Sequence, residues 1–82
     1  MKQRIKKRIA ILGSTGSIGT QALDVVSAHP DLFEVEVLTA NSNCDALIRQ
    51  SVKFRPNAVV IGKKSCYQKV SDALKDLPIK VW

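Results

Sequence analysis

The sequence predicts an α/β fold built on a doubly wound parallel sheet, and three observations carry that expectation. Short apolar runs at Arg8–Leu12, Phe33–Ala40, Ala58–Ile61 and Ile79–Trp82 alternate with longer segments of helical spacing. The intervening helical segments stop at or near Pro30, Pro56 and Pro78, residues that cannot continue a helix. Between the first apolar run and the first helical segment lies the turn Gly13-Ser14-Thr15-Gly16-Ser17-Ile18-Gly19.

The first strand, Arg8–Leu12, is apolar enough to be covered on both faces. The helix that follows runs from about Ser17 to Ala28, with Ile18, Ala22, Val25 and Val26 spaced to form its inward face. His29 sits at its end. Phe33–Ala40, rich in β-branched residues, is the second strand. The polar turn Asn41-Ser42-Asn43 then opens a second helix ending near Phe54, with Ser42 and Asp45 as a capping-box pair. Its buried stripe is Cys44, Leu47, Ile48 and Val52. After the third strand, Ala58–Ile61, Ser65 and Gln68 form another such pair and place Val70, Leu74 and Leu77 inward. Ile79–Trp82 begins a fourth strand.

Strands joined by helices of this length make right-handed parallel crossovers. The second and third strands then lie on one side of the first and the fourth on the other, in the order 3-2-1-4. The expectation is a partial Rossmann-like sheet, residues 1–82 forming the first part of a larger domain and residues 1–8 a basic arm leading into it. A chain this short buries only about 60% of its unfolded surface, so its stability alone is marginal.

Composition narrows the function. No apolar stretch approaches the ~20 residues of a membrane span, and no h-region of a signal peptide follows the basic start. Of the net charge of +6, Lys2, Arg4, Lys6, Lys7 and Arg8 supply five, leaving +1 for the rest of the chain. No aromatic residue interleaves this arm to stack on bases, so it reads as a solvated terminus rather than a nucleic-acid contact. Cys44 and Cys66 match neither a CxxC nor a zinc spacing and read as isolated thiols of a reducing compartment. The sole histidine, His29, reads as a charge at a helix terminus rather than a catalyst. Gly62-Lys63-Lys64-Ser65 is similar to the end of a P-loop, but Asn57 stands where that motif needs glycine and a second lysine intervenes. It reads as a loop on a solvated face.

The glycine turn has a clearer role. Gly13 permits a tight exit from the strand, Gly16 leaves room for a phosphate near the helix start, and Gly19 lets the helix pack closely. Thr15, Ser17 and Ile18 present backbone amides, with two hydroxyls as further donors, at the positive end of a helix dipole. The spacing GxxGxxG often accompanies NADP. About 20 residues beyond the glycines an NAD site places Asp or Glu on the ribose 2′-OH. Here that place holds Thr39-Ala40-Asn41-Ser42-Asn43, which can donate to a 2′-phosphate and carries no carboxylate to repel one. No arginine accompanies it; Arg49 lies a helical turn or two downstream.

The run Ile11-Leu12-Gly13-Ser14-Thr15-Gly16-Ser17-Ile18-Gly19, continued by Leu23-Asp24-Val25-Val26, closely resembles the 1-deoxy-D-xylulose 5-phosphate reductoisomerase family. The likeness extends through His29-Pro30, Phe33, Val35–Ala40 and Phe54-Arg55-Pro56. It implies the N-terminal part of a cytoplasmic, homodimeric oxidoreductase of the non-mevalonate isoprenoid pathway, using NADPH and Mg or Mn. Such an enzyme rearranges and reduces 1-deoxyxylulose 5-phosphate to 2-C-methylerythritol 4-phosphate. By position, Thr15, Gly16, Ser17 and Ile18 would contact the NADPH pyrophosphate, and Asn41, Ser42 and Asn43 the adenosine ribose and its 2′-phosphate. Many members carry Gly-Lys-Asn at the last three positions, so Asn41 and Ser42 depart from the pattern and the lysine is lost. The family's metal carboxylates, substrate-phosphate residues and lid lie downstream, so no catalytic or metal-ligating residue is expected within residues 1–82. Two alternatives stay open: a semialdehyde-dehydrogenase-type reductase with a catalytic cysteine downstream, and a non-enzymatic module placing its basic arm on nucleic acid.

Overall fold

The computed structural model describes residues 6–82. The arm residues Lys2 and Arg4 lie outside that range. The elements are β1 (Lys7–Ile11), α1 (Ser17–Ala28), β2 (Phe33–Ala40), α2 (Cys44–Phe54), β3 (Ala58–Ile61), α3 (Lys64–Leu74) and β4 (Lys80–Val81). Among the described residues no helix is long and apolar enough to cross a membrane. Leu12 does not extend β1; it is 77% exposed where the chain leaves the sheet for Gly13.

All four strands are parallel, and their order is β1-β2-β3-β4. This corrects the expected 3-2-1-4. The reason is the position of α3, which packs beside α2 and so returns the chain next to β3. There Lys80 N–H donates to the Asn57 carbonyl at 3.0 Å and Trp82 N–H to that of Val59 at 2.9 Å. That position also buries Val70, Leu74 and Ile79 against the sheet; a strand beyond β1 would draw Ile79 away from them. Three right-handed crossovers in one direction put all three helices on one face. Consistent with this, α1 and α2 share a cleft lined by Thr20, Leu23, Arg49 and Gln50. The smallest Cα dimension, 15 Å, is that of two layers. Among the described residues the sheet is therefore wound in one direction only, and not doubly.

A register slip keeps the core continuous. Ile9 pairs with Val35, but Ala10 pairs with Val37, which leaves Glu36 as an extra residue in β2. Val35 and Leu38 are three residues apart, so strict alternation would put them on opposite faces. The bulge lets both enter the core, with Val59, Leu47 and Val70.

Two helices are turned slightly from the expected faces. In α1 the buried residues are Gly19, Leu23 and Val26, while Ile18 is 84% and Val25 55% exposed. Close seating of Gly19 on the turn sets that rotation, since only a residue without Cβ fits there. In α2, Ser51 is buried and Val52 is exposed. The Ser51 hydroxyl is satisfied within the helix, donating to the Leu47 carbonyl at 2.7 Å, so it enters the core with no orphaned polar group.

The caps also differ from those expected. Asn43, not Ser42, is the N-cap of α2, its Oδ1 accepting from Ala46 N–H at 3.3 Å. The N-cap of α3 is Lys63, whose side chain makes no capping bond; Ser65 and Gln68 lie within the helix. At the end of α2, Arg55 takes a left-handed conformation with φ 50° and donates its N–H to the Ser51 carbonyl, just before Pro56. Arg55 Nε also donates to the Val52 carbonyl at 2.8 Å.

Two outcomes follow. In urea denaturation, Arg55→Gly is expected to leave stability within about 1 kcal/mol of the parent, because relief at φ > 0 offsets the lost exposed bond. Arg55→Val is expected to lower it by about 1–2 kcal/mol. Separately, β1 pairs only with β2 among the described residues, leaving one edge open. The isolated chain is expected to self-associate through it, which sedimentation across the micromolar range would show; a monomeric mass throughout would contradict this.

Candidate functional site

The site lies where β1 and β2 end. Leaving β1, the chain reverses at Gly13, whose φ of 69° is in the region that disfavours side chains. Three bonds then tie this turn to β2. Gly13 N–H donates to Thr39 Oγ1 at 2.9 Å, Ser14 N–H to the Thr39 carbonyl at 2.8 Å, and Ser14 Oγ reaches the same carbonyl at 3.2 Å. A second anchor comes from α2: Gln50 Nε2 donates to the Ser14 carbonyl at 2.8 Å, and Gln50 Oε1 accepts from Ser14 Oγ at 2.7 Å. Ser14 is completely buried, and every polar atom of this network has a partner.

Helix α1 is pressed onto the anchored turn. A Cβ built at Gly19 would lie 2.3 Å from the Gly13 carbonyl oxygen and 2.6 Å from Ser14 Cα, both backbone atoms that cannot swing aside. At Gly16 the same construction meets only the Gly13 oxygen at 3.5 Å, an ordinary contact. Gly16 is the N-cap of α1, with extended backbone, and its carbonyl accepts from Thr20 N–H and Thr20 Oγ1.

The amides of Gly13, Ser14 and Gly16 are used within the turn. Those of Thr15, Ser17, Ile18 and Gly19 have no acceptor among the described residues. They form a run of unpaired N–H groups at the start of a 12-residue helix, where partial positive charge collects. Gly13, Thr15, Gly16, Ser17, Ile18 and Gly19 thus lie together in one turn, with Gly19 packed from beneath.

Asn41, Ser42 and Asn43 form the neighbouring turn and are exposed. Their backbone is not left-handed: among the non-glycine residues described, only Arg55 has positive φ. Asparagine serves at position 43 as a cap and at position 41 in contact with the β3–α3 loop. Gly62 N–H donates to the Ala40 carbonyl at 2.9 Å and Lys63 N–H to that of Asn41 at 2.6 Å. A Cβ at Gly62 would lie 2.6 Å from Asn41 Oδ1, so glycine permits this approach.

Electrostatics here are settled by two pairs. Lys69 Nζ lies 2.6 Å from Asp45 Oδ1; that contact lowers the Asp45 pKa and raises that of Lys69. The carboxylate beside Asn43 is therefore already compensated. Cys66 Sγ lies 3.6 Å from the Ser42 carbonyl. The adjacent Cys44 thiol, and secondarily burial, push the Cys66 thiol pKa up, favouring its neutral form. The two cysteines, far apart in sequence, are neighbours and free thiols. Among the described residues no three His, Cys, Asp or Glu side chains are grouped to hold a metal ion.

Sequence reasoning missed Thr39, Ser14 and Gln50 as the clamp on the turn. Ser14 was visible only as an unspecified member of the glycine run, and Gln50 is one polar residue of an amphipathic helix. Gly62, at the exit from the apolar strand β3, was the one available signal of a close backbone approach.

This arrangement belongs to the Rossmann-like class of α/β domains, in which ligands sit outside the carboxyl ends of parallel strands. Residues 9–82 match the family profile of 1-deoxy-D-xylulose 5-phosphate reductoisomerase, and the chain belongs to that family. The chain is 60% identical over 78 residues to the Porphyromonas gingivalis reductoisomerase, covering 95% of this chain and 20% of that protein. It is 46% identical over 71 residues to the one from Paraburkholderia phymatum, covering 87% and 18%. The Zymomonas mobilis reductoisomerase, solved in complex with NADPH, superposes with a TM-score of 0.89 at 30% identity, over 94% of this chain and 20% of that one. A DOX-P reductoisomerase complex with NADPH, fosmidomycin and magnesium gives 0.85 at 30% identity, over 92% and 19%. The chain thus spans about a fifth of the length of these relatives. Membership removes the semialdehyde-dehydrogenase-type alternative.

The packing at Gly19 yields a direct test. Gly19→Ala is expected to destabilise the chain by about 1–3 kcal/mol in denaturant titration, as overpacking does. Gln50→Leu, which orphans the buried Ser14 carbonyl and leaves Ser14 Oγ only its longer bond to Thr39, is expected to cost a similar ~1–3 kcal/mol.

Proposed function

We propose that this chain is the cofactor-binding N-terminal part of a 1-deoxy-D-xylulose 5-phosphate reductoisomerase and that it binds NADPH. The observation that carries the reading is the run of unpaired amides at Thr15, Ser17, Ile18 and Gly19 on a rigidly clamped turn. A pyrophosphate needs several donors converging without reorganisation, and these are already aligned with the α1 dipole. Their fit to the cofactor is supported by the relatives solved with NADPH.

In this reading Thr15, Gly16, Ser17 and Ile18 hold the pyrophosphate, with the Ser17 hydroxyl and the exposed Ser17 and Ile18 amides facing it. Asn41, Ser42 and Asn43 border the adenosine ribose and its 2′-phosphate, offering amide and hydroxyl donors and no carboxylate. Gly13 shapes the cradle, and Gly19 seats α1 beneath it while its unpaired amide adds to the run of donors. Bound NADPH supplies the hydride for reduction of the rearranged 1-deoxyxylulose 5-phosphate skeleton to 2-C-methylerythritol 4-phosphate. Residues of this chain bind and orient the cofactor; the Mg or Mn site, the sugar-phosphate contacts and the catalytic groups belong to the remainder of the enzyme. A cytoplasmic homodimer is the form this reading implies.

Gly16→Asp separates binding from folding. Gly16 has room for a side chain, its backbone is extended, and Asp is a favoured N-cap, so the fold is expected to persist. The new carboxylate would face the pyrophosphate. In fluorescence titration of the native protein that contains residues 1–82, NADPH binding is expected to weaken by at least ~100-fold, about 3 kcal/mol. Undiminished binding with an unchanged circular dichroism spectrum would refute the site assignment.

A further inference from the structure

An adenosine 2′-phosphate carries close to two negative charges at neutral pH and is ordinarily met by a cation. The Asn41–Asn43 turn has none. The cations of the elements around this turn are not equally available; Lys64 begins α3 and has no bond to the turn among the described residues, whereas Lys63 is bonded to it. Lys69 is committed to Asp45 at 2.6 Å. Arg49 lines the cleft between α1 and α2 beside Asp24. Lys63 is exposed and makes no ion pair among the described residues.

Lys63 is also held against the turn by its own backbone. Its N–H donates to the Asn41 carbonyl at 2.6 Å, and the preceding Gly62 N–H donates to Ala40 at 2.9 Å. A Cβ at position 62 would meet Asn41 Oδ1 at 2.6 Å, a contact the Asn41 side chain can relieve by turning, and Asn41 Cα at 3.3 Å, so the two loops are closely seated here. Cys66 Sγ, 3.6 Å from the Ser42 carbonyl, sets the first turn of α3 against the same turn. Lys63, the residue before α3, thus stands beside a turn rich in donors and poor in charge.

We propose that Lys63, presented from the β3–α3 loop, is the cation that recognises the adenosine 2′-phosphate and so sets preference for NADPH over NADH. The proposal rests on the reading of this chain as an NADPH site. It assigns a role to Gly62-Lys63: the glycine brings the loop in, and the lysine supplies a point charge where Asn41 and Ser42 supply neutral donors.

The test is equilibrium binding to the native protein that contains residues 1–82, using NADPH, NADH, adenosine 2′,5′-bisphosphate and AMP as probes. Lys63→Ala is expected to raise the NADPH and bisphosphate dissociation constants about tenfold, the loss of one charge-assisted contact. The NADH and AMP constants are expected to stay within about twofold, as they lack the group recognised. Lys63→Arg is expected to retain most of the preference, and Lys75→Ala, remote on the far end of α3, to leave all four constants unchanged. The NADPH preference of the parent is expected to fall more steeply with salt than that of Lys63→Ala. If Lys63→Ala weakens phosphorylated and unphosphorylated probes alike, or neither, the proposal is overturned while the NADPH reading stands. If the parent itself shows no preference for NADPH over NADH, the underlying reading fails instead.

Discussion

The clamp of Thr39 and Gln50 on Gly13 and Ser14 is the interaction on which the rest of the site depends. A phosphate cradle works only if its amides point at the ligand before the ligand arrives, since reorganising a flexible loop costs affinity. Glycine supplies permission for such a turn but no rigidity. Rigidity comes from a buried serine with every polar atom satisfied, held from β2 on one side and α2 on the other. The same clamp presents a backbone surface onto which Gly19 seats α1, and that contact sets which face of α1 looks inward. Ile18 and Val25 are exposed as its consequence, not as an independent preference.

Seating α1 in this way has a topological counterpart. With every crossover running in the same direction, the three helices share one face and the second loop pair, β2–α2 and β3–α3, is drawn together at the same end of the sheet. Gly62 is the small residue that makes this meeting close. The Asn41 turn consequently borders two loops, the glycine turn by way of Thr39 and the lysine loop by way of Gly62-Lys63. A sheet continuing from β3 to β4 on that side leaves β1 as an open edge, where a parallel sheet is normally covered.

Charge around the site is distributed economically. Asp45, which stands in the first turn of α2, is neutralised by Lys69 from the adjoining helix, so no net negative charge is set against an anionic ligand at Asn43. The Cys66 thiol is favoured in its neutral form by the adjacent Cys44 thiol. What remains beside the turns is donor capacity from backbone and side-chain amides, together with Lys63 of the β3–α3 loop, which makes no ion pair among the described residues.

Much of this was legible in the residues themselves. Period and proline placement located the helices and strands to within a residue or two, because local backbone preference and amphipathic spacing act over a few residues; the exception is α3, which ends at Leu74 and not beyond Leu77. The glycine run likewise identified its own turn, since Gly13 and Gly19 answer constraints of the chain next to them. Family likeness was readable for the same reason, being carried in a contiguous stretch from Ile11 to Val26. Tertiary structure alone decided the rest. The strand order depended on which neighbour offered Ile79 and Leu74 the better burial, a comparison between distant parts of the chain. The capping residues shifted by one or two positions because the chain entering α2 and α3 is constrained by its contact with the other loop. Ser51 displaced Val52 from the core because an internal bond can satisfy a hydroxyl, which spacing does not reveal. Ser14, Thr39 and Gln50 meet across 25 to 36 residues. No local pattern in the sequence joins them; the sheet does.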